Sequence, residues 1–257
     1  MLEVAILAVL QGVAEFLPIS SSGHLVIGQH FLGIREPGLR LDICLHFGTL
    51  VSILVYYRRT IVNMLLGRDW KLLLKIVLSA LPAVAVYVMF RKEITNLFDN
   101  AKMVGALLMF TGAVLIGTRY LPRGNGEVTF VRALIMGIGQ AIALLPGVSR
   151  SGMTLASARA GRVGAEKSAE FSFLMSAPLI AGGVILEIIK GMNATMMDVG
   201  LAINDRFGWD MLAFGATVSA VVGYVSLFFL VKVLKGKNFW MFGPYCLCAG
   251  LLTLIMV

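Results

Sequence analysis

Charge is scarce in this chain. Charged residues make up 14% of its 257 positions against 58% hydrophobic, and the mean hydropathy is +0.88. A soluble domain with so little polar surface would aggregate, so the composition excludes one and predicts a polytopic membrane protein. Cysteine is scarce too. Cys44, Cys246 and Cys248 lie in apolar stretches, show no metal-ligand spacing and are odd in number. That excludes a disulfide framework and a zinc site, leaving three small hydrophobes. Residues 1–17 lack a basic n-region and a small-residue cleavage site, so they read as membrane domain and not as a removable signal peptide. Acids number only 14 against 22 Lys and Arg, yet the net charge of +8 is scattered through short loops. It therefore reads as a topology signal and not as a nucleic-acid footprint.

What the chain has in plenty is apolar runs. Six of them, about 41–57, 72–90, 102–120, 168–189, 211–231 and 239–257, are close to the roughly 20 residues that cross a hydrocarbon layer about 30 Å thick. Two more, about 2–32 and 130–160, are broken in the middle by Pro18 with Ser20, Ser21 and Ser22, and by Pro146-Gly147 with Ser149, Arg150 and Ser151. Proline ends a helix by removing an N–H and clashing with the preceding turn. Irregular backbone at membrane depth survives only where protein or a water-filled cavity satisfies it. Both regions read as helix-loop-helix hairpins that re-enter on the side they came from.

The two breaks match each other. Leu17-Pro18 corresponds to Leu145-Pro146, and Ser20, Ser22 and Gly23 correspond to Ser149, Ser151 and Gly152 when Gly147 is counted as an insertion. The order is hairpin, three spans, hairpin, three spans. Three is odd, so the second half is inserted upside down relative to the first. The expected fold is an all-α polytopic membrane protein, a single integral domain over 1–257. It is built as an inverted-topology repeat, about 1–128 and about 129–257, each half a re-entrant hairpin plus three transmembrane helices, with the polar loop tips meeting near the midplane. Asp42 and Glu170 occupy equivalent places in the two halves and are expected to support Arg150 or nearby backbone.

Most cations, among them Arg58, Arg59, Arg68, Lys71, Arg159 and Lys235, fall on the side away from the N-terminus. Arg35, Glu36, Asp99, Asp198, Asp205 and Arg206 fall on the other. The positive-inside rule makes the first side cytoplasmic and places both termini outside. Tyr56, Tyr57, Trp70, Tyr120, Trp209 and Trp240 sit near predicted span ends, as interfacial anchors do.

An Arg at the depth of Arg150 needs an anionic partner, and intramembrane polar residues mark functional sites by default. Gln11 and Glu15 share one helix face just before the Pro18 break. A carboxylate facing an Arg-bearing loop suits a hard divalent cation shared with phosphate oxygens. Ser20, Ser21, Ser22, Ser149 and Ser151 can cap the returning half-helices, whose free N–H groups make an anion site. With the forked donor of Arg150, the composite reads as a phosphate or diphosphate site. Thr154 is either a further oxygen contact or a packing residue. His24, three residues after Ser21, is a general base or a nucleophile, whereas His30 and His46 read as structural. We favour Ser21 attacking with His24 as its base over direct attack by His24 or by water.

The stretches QGVAEFLPISSSGH (11–24), PGVSRSGMT (146–154) and EFSFLMSAP (170–178) resemble the undecaprenyl pyrophosphate phosphatase family associated with bacitracin resistance. The resemblance covers the whole chain in length and segment order. It implies a bacterial plasma-membrane enzyme that removes the terminal phosphate of undecaprenyl pyrophosphate with Mg²⁺ or Ca²⁺, regenerating the lipid carrier for peptidoglycan synthesis. It also implies that Gln11 and Glu15 take the acidic motif, Ser21 and His24 the first loop, and Ser149, Arg150, Ser151 and Thr154 the second. Gln11 stands where many relatives carry Glu, so the metal is expected mainly on Glu15 and substrate oxygens. The partners are a polyprenyl diphosphate and the bilayer. A secondary transporter or flippase for a phosphorylated lipid or anion is the alternative, since broken inverted repeats are also a transporter architecture. A purely structural membrane subunit would not need two ionisable loops.

Single cysteines introduced at positions 68 and 205, with the native cysteines removed, should react with impermeant reagent from opposite faces of the membrane. Labelling of both from one face would overturn the inverted order.

Overall fold

A computed structural model describes residues 1–34, 39–98, 100–197, 207–236 and 238–256. Arg35, Glu36, Asp99, Asp198, Asp205 and Arg206, which enter the orientation argument, lie outside the described residues. Eleven α-helices follow one another in this part of the chain: α1 (Leu2–Ala14), α2 (Ser21–Phe31), α3 (Leu39–Tyr56), α4 (Arg58–Leu65), α5 (Trp70–Phe98), α6 (Ala101–Gly117), α7 (Phe130–Ile142), α8 (Arg150–Ala160), α9 (Ala165–Met197), α10 (Trp209–Lys235) and α11 (Phe242–Met256). The described residues form an all-helical, polytopic arrangement, and among them five helices are long and apolar enough to span a membrane, with a sixth if α3 and α4 are taken as one bent segment.

Both expected breaks are present, each between a pair of packed helices. α1 and α2 pack on one another across the Pro18 break, as do α7 and α8 across Pro146. The first anticipated span, about 41–57, departs from expectation. The chain turns by 77° at Tyr57 into α4, which buries none of its residues. α4 carries Arg58 and Arg59 beside exposed Val62 and Leu65, so its sequence is too polar to continue the span and too amphipathic for a loop. Tyr57, expected as an interfacial anchor, is instead buried with its ring edge-on to Tyr56 at 4.8 Å. The span expected over 72–90 ends where Phe90 leaves helical geometry (φ −123, ψ 23), and a polar helical piece runs on to Phe98.

α5 exposes Val77, Leu81, Val84 and Val88, spaced as one face of a helix, to the lipid. Apolar burial cannot drive helices together in lipid, so close backbone approach must. α6 and α11 pack through two reciprocal glycine pairs. A methyl group on Gly112 would stand 2.7 Å from the Gly243 carbonyl oxygen, and one on Gly250 would stand 2.5 Å from that of Gly105. Gly48 lets α3 approach the Ala216 carbonyl of α10, and Gly137 lets α7 approach the Ser79 carbonyl of α5. Phe16, wholly buried, anchors the first loop to α9 through an edge-to-face contact with Phe173 at 5.4 Å.

Gly112→Leu places a branched side chain against backbone that cannot yield. The expected cost is at least the roughly 1–3 kcal/mol of ordinary overpacking, read as a lower melting temperature of the detergent-solubilised protein. An unchanged midpoint would mean that α6 and α11 do not rely on this approach.

Candidate active site

The two loops reproduce one local design. Ser20 caps α2, its Oγ accepting from the Gly23 N–H at 3.4 Å, and Ser149 caps α8, its Oγ accepting from the Gly152 N–H at 3.1 Å. Ser20 and Ser22 hydroxyls lie 3.3 Å apart, and those of Ser149 and Ser151 lie 3.2 Å apart. Capping by serine satisfies N–H groups that a helix start leaves free, which is what a break at this depth requires. Ser20 achieves it with φ of 70°, a region that costs energy for a residue with a Cβ. Gly147 adopts φ of 92° and lies against the Val104 carbonyl, where a side chain could not fit.

The loops also meet. The Ser151 hydroxyl donates to the Leu17 carbonyl at 3.1 Å, and a methyl on Gly23 would touch the Cα of Gly147 at 3.4 Å. Thr111 of α6 braces the second loop, donating to the Gly147 carbonyl at 3.2 Å and accepting from the Ser149 N–H at 3.0 Å.

Glu15 is the centre of this contact. One carboxylate oxygen pairs with Arg150 Nη2. The other accepts from the Ser21 hydroxyl at 2.5 Å and from Gln11 Nε2 at 3.1 Å, with His46 Nε2 at 3.9 Å. Ser21 and Arg150 are the first residues of α2 and α8, so equivalent positions of the two half-helices hold the same carboxylate. Arg150 begins a helix, where the macrodipole disfavours a cation, and Glu15 compensates it.

His24 takes a different place from the one expected. Its Nδ1 lies 2.9 Å from the Ser20 carbonyl and its Nε2 lies 2.7 Å from the Tyr245 hydroxyl, with the two rings stacked at 5.6 Å. A carbonyl only accepts, so Nδ1 carries the proton and the neutral ring accepts from Tyr245 through Nε2. No hydrogen bond joins His24 to Ser21. The reason is register: α2 begins at Ser21 itself, and the turn that follows carries the imidazole back to its own N-cap and across to α11. The serine hydroxyl is left to Glu15.

Other expectations divide in the same way. Thr154 does not face the loops: its hydroxyl donates to the Arg150 carbonyl at 2.8 Å and meets Ser172 Oγ at 2.6 Å, tying α8 to α9. Asp42 accepts from Gln29 at 2.7 Å and Glu170 from Thr60 at 2.6 Å, so neither reaches Arg150. Cys246 is buried with its thiol 3.5 Å from the Pro18 carbonyl, and all three cysteines are free. Sequence reading missed Tyr245 and Thr111 and took His46 as structural, whereas its Nε2 lies 3.9 Å from Glu15. Thr111 and Tyr245 lie in spans with no local motif, and only His46, a polar residue one helical turn after Asp42, carried a usable signal.

Among the described residues no three His, Cys, Asp or Glu side chains cluster as a metal cage. The donor set at Glu15 nevertheless fits a hard cation. Gln11 is wholly buried and its Oε1 has no partner, which places an uncommitted oxygen beside the carboxylate. Mg²⁺ commonly takes one or two protein oxygens and draws the rest from phosphate and water.

The family model described as bacitracin resistance protein BacA matches residues 4–252. This chain belongs to that family. Its relatives include undecaprenyl-diphosphatases of Desulfatibacillum aliphaticivorans, 36% identical over 99% of this chain and 98% of the relative, and of Desulforapulum autotrophicum, 36% identical over 97% and 96%. Another, from Halothermothrix orenii, is 31% identical over 99% of this chain and 97% of the relative. Membership of the BacA family agrees with the resemblance carried by the two Pro-Ser loops, and those loops are where the chain concentrates its buried polar groups.

Glu15 is buried but the Arg150 side chain keeps 20% exposure, so removing one partner should cost less than the roughly 3–5 kcal/mol of a fully buried ion pair. Glu15→Gln and Arg150→Gln should each destabilise the protein. The double variant should be less destabilised than the two effects added together, by more than about 1 kcal/mol in a thermodynamic cycle. Additive losses in denaturant unfolding would show that the two residues do not act as a pair.

Proposed function

We propose that this protein is an undecaprenyl-diphosphatase, hydrolysing the terminal phosphate of undecaprenyl pyrophosphate to regenerate the lipid carrier of peptidoglycan synthesis and so conferring resistance to bacitracin. The observation that carries this reading is the single carboxylate, Glu15, that holds a serine hydroxyl and an arginine at the starts of two half-helices. Binding an anion alone would not need a hydroxyl 2.5 Å from a carboxylate. That arrangement activates a nucleophile.

In the mechanism we infer, the terminal phosphate lies between the first turns of α2 and α8, whose free N–H groups neutralise its oxygens. Arg150 turns one arm of its fork from Glu15 to the phosphate. Relieved of that partner, Glu15 becomes a stronger acceptor and takes the Ser21 proton as Oγ attacks phosphorus in line with the departing lipid phosphate. Water then releases phosphate from the serine. Ser20, Ser22, Ser149 and Ser151 hold the loop backbone in place around it. His24, fixed by Ser20 and Tyr245, shapes the wall and reaches the phosphoryl group only by releasing Tyr245. Thr154 acts from behind, through the Arg150 carbonyl. Glu15 and the Gln11 Oε1 are the groups that would hold Mg²⁺ or Ca²⁺, and such a cation would neutralise charge on the diphosphate.

We also infer that the protein is a single domain of two inverted repeats, about 1–128 and 129–257, in the bacterial inner membrane with both termini outside. Support comes from paired helix contacts: α1 on α10 has its counterpart in α7 on α5, while α3 packs on α9 and α6 on α11. The matching serine caps support it as well.

The deciding measurement is phosphate release from undecaprenyl pyrophosphate by the purified protein. Arg150→Lys keeps the charge and loses the fork, and a loss of about 10²–10³-fold in kcat is expected. Ser21→Ala should be as severe, and acid quenching during turnover should trap base-labile phosphate on residue 21. Acid-labile, base-stable phosphate would move the nucleophile to His24, and substantial turnover by Ser21→Ala would reduce Ser21 to a binding hydroxyl.

A further inference from the structure

A cavity of about 480 Å³ opens at the far end of α8, some nine residues and so about 13 Å along that helix from Arg150. Its walls are the first turn of α9, the end of α10 and the segment after α6. Two short backbone bonds set its shape: the Gly126 N–H donates to the Arg162 carbonyl at 3.1 Å, and the Gly164 N–H donates to the Gly126 carbonyl at 3.0 Å. Four cations line it, Arg123, Arg159, Lys167 and Lys235, against one carboxylate, Glu166.

The lysines are already paired, Lys167 with Glu127 and Lys235 with Glu166. The arginines are not. Arg123 donates to the Gly236 carbonyl at 2.5 Å and Arg159 Nη2 to the Leu121 carbonyl at 3.1 Å, and among the described residues neither meets a carboxylate. Arg159 Nε is buried with no partner at all. Burial, and after it the charge of Arg123, push the Arg159 guanidinium below the ordinary arginine range. Two neighbouring guanidiniums with spare donors, beside the free N–H groups of a 33-residue helix, have the chemistry of a phosphate cradle. Beneath them lie Leu155 and Phe239, both buried. Cations placed only to orient the chain in a membrane need neither a cavity nor an apolar floor.

We propose that this cavity is a second anion site, which binds a phosphate-bearing ligand between Arg123 and Arg159, separate from the Glu15–Arg150 centre. The shared chemistry is a phosphate group, and the floor of Leu155 and Phe239 fits one that carries an apolar substituent, such as a lipid headgroup.

The test measures equilibrium binding to the full-length protein in detergent. The background is Glu15→Gln/Arg150→Gln, which takes the arginine and the carboxylate out of the first site without stranding a charge, so that binding sensitive to Arg123 and Arg159 reports the second. Inorganic phosphate and dioctanoyl phosphatidic acid are the two probes. Binding of the lipid probe is expected, weakened at least about tenfold by Arg123→Gln/Arg159→Gln and by added salt. Binding of inorganic phosphate with the same sensitivity would assign a free anion, and binding of the lipid probe alone would assign a headgroup. Asn125→Asp adds a carboxylate at the exposed rim and should weaken binding even if the arginine variant folds poorly. Binding of neither probe to the background protein overturns the proposal, as does affinity unchanged by these substitutions.

Discussion

The Glu15–Arg150 ion pair is the constraint on which the rest of the site depends. A carboxylate as buried as that of Glu15 is tolerated in the company of a cation, because desolvating it alone would be costly. The pair therefore holds together two loops that are 135 residues apart in sequence. Everything nearby serves that meeting. Serine caps quiet the broken backbone, Gly23 and Gly147 remove the side chains that would keep the tips apart, and Phe16 fixes the first loop to α9. In the mechanism proposed above the same pair sets the chemistry, since the carboxylate shared between Arg150 and Ser21 becomes a stronger acceptor when the arginine turns to another anion.

Helix packing elsewhere follows from the solvent. Lipid offers no reward for burying leucine, so contacts are built where glycine lets carbonyls and Cα atoms approach. This explains why long apolar faces of α5 and α10 point outward while α6 and α11 meet through Gly105, Gly112, Gly243 and Gly250. The scaffold is rigid where small residues face one another. Its helices carry buried serines and threonines as well, whereas the buried Glu15 and its partner Arg150 meet at the two loops.

Much of this was legible in the chain. Pro18 and Pro146 break helices for reasons local to the backbone, and the hairpins expected over about 2–32 and 130–160 run from Leu2 to Phe31 and from Phe130 to Ala160. The need of Arg150 for an anion was readable, but the carboxylates expected to support it, Asp42 and Glu170, pair elsewhere, and the partner is Glu15, which was expected at a cation site. What escaped was whatever depends on approach between distant segments. The bend comes at Tyr57, whose ring is buried, the Tyr245 partner of His24 comes from the other end of the chain, and the Thr154 hydroxyl meets Ser172 of α9. Periodicity does not encode such partners. The Ser21–His24 contact is absent for a finer reason: with α2 starting at Ser21, the imidazole is bonded to the Ser20 carbonyl and Tyr245 while the serine hydroxyl is bonded to Glu15.

The separation of Glu15 from Arg150 has a consequence in time. Synthesis proceeds at about 5–20 residues per second, so the second loop leaves the ribosome of the order of ten seconds after the first. Throughout that interval the first hairpin has no guanidinium to face, and Ser21 has no reason to be presented toward the place where a lipid phosphate would lie. On the mechanism proposed above, a chain that stops before α8 carries the serine and its carboxylate but no arginine to turn toward a phosphate, so the two halves must both be made before the site is complete.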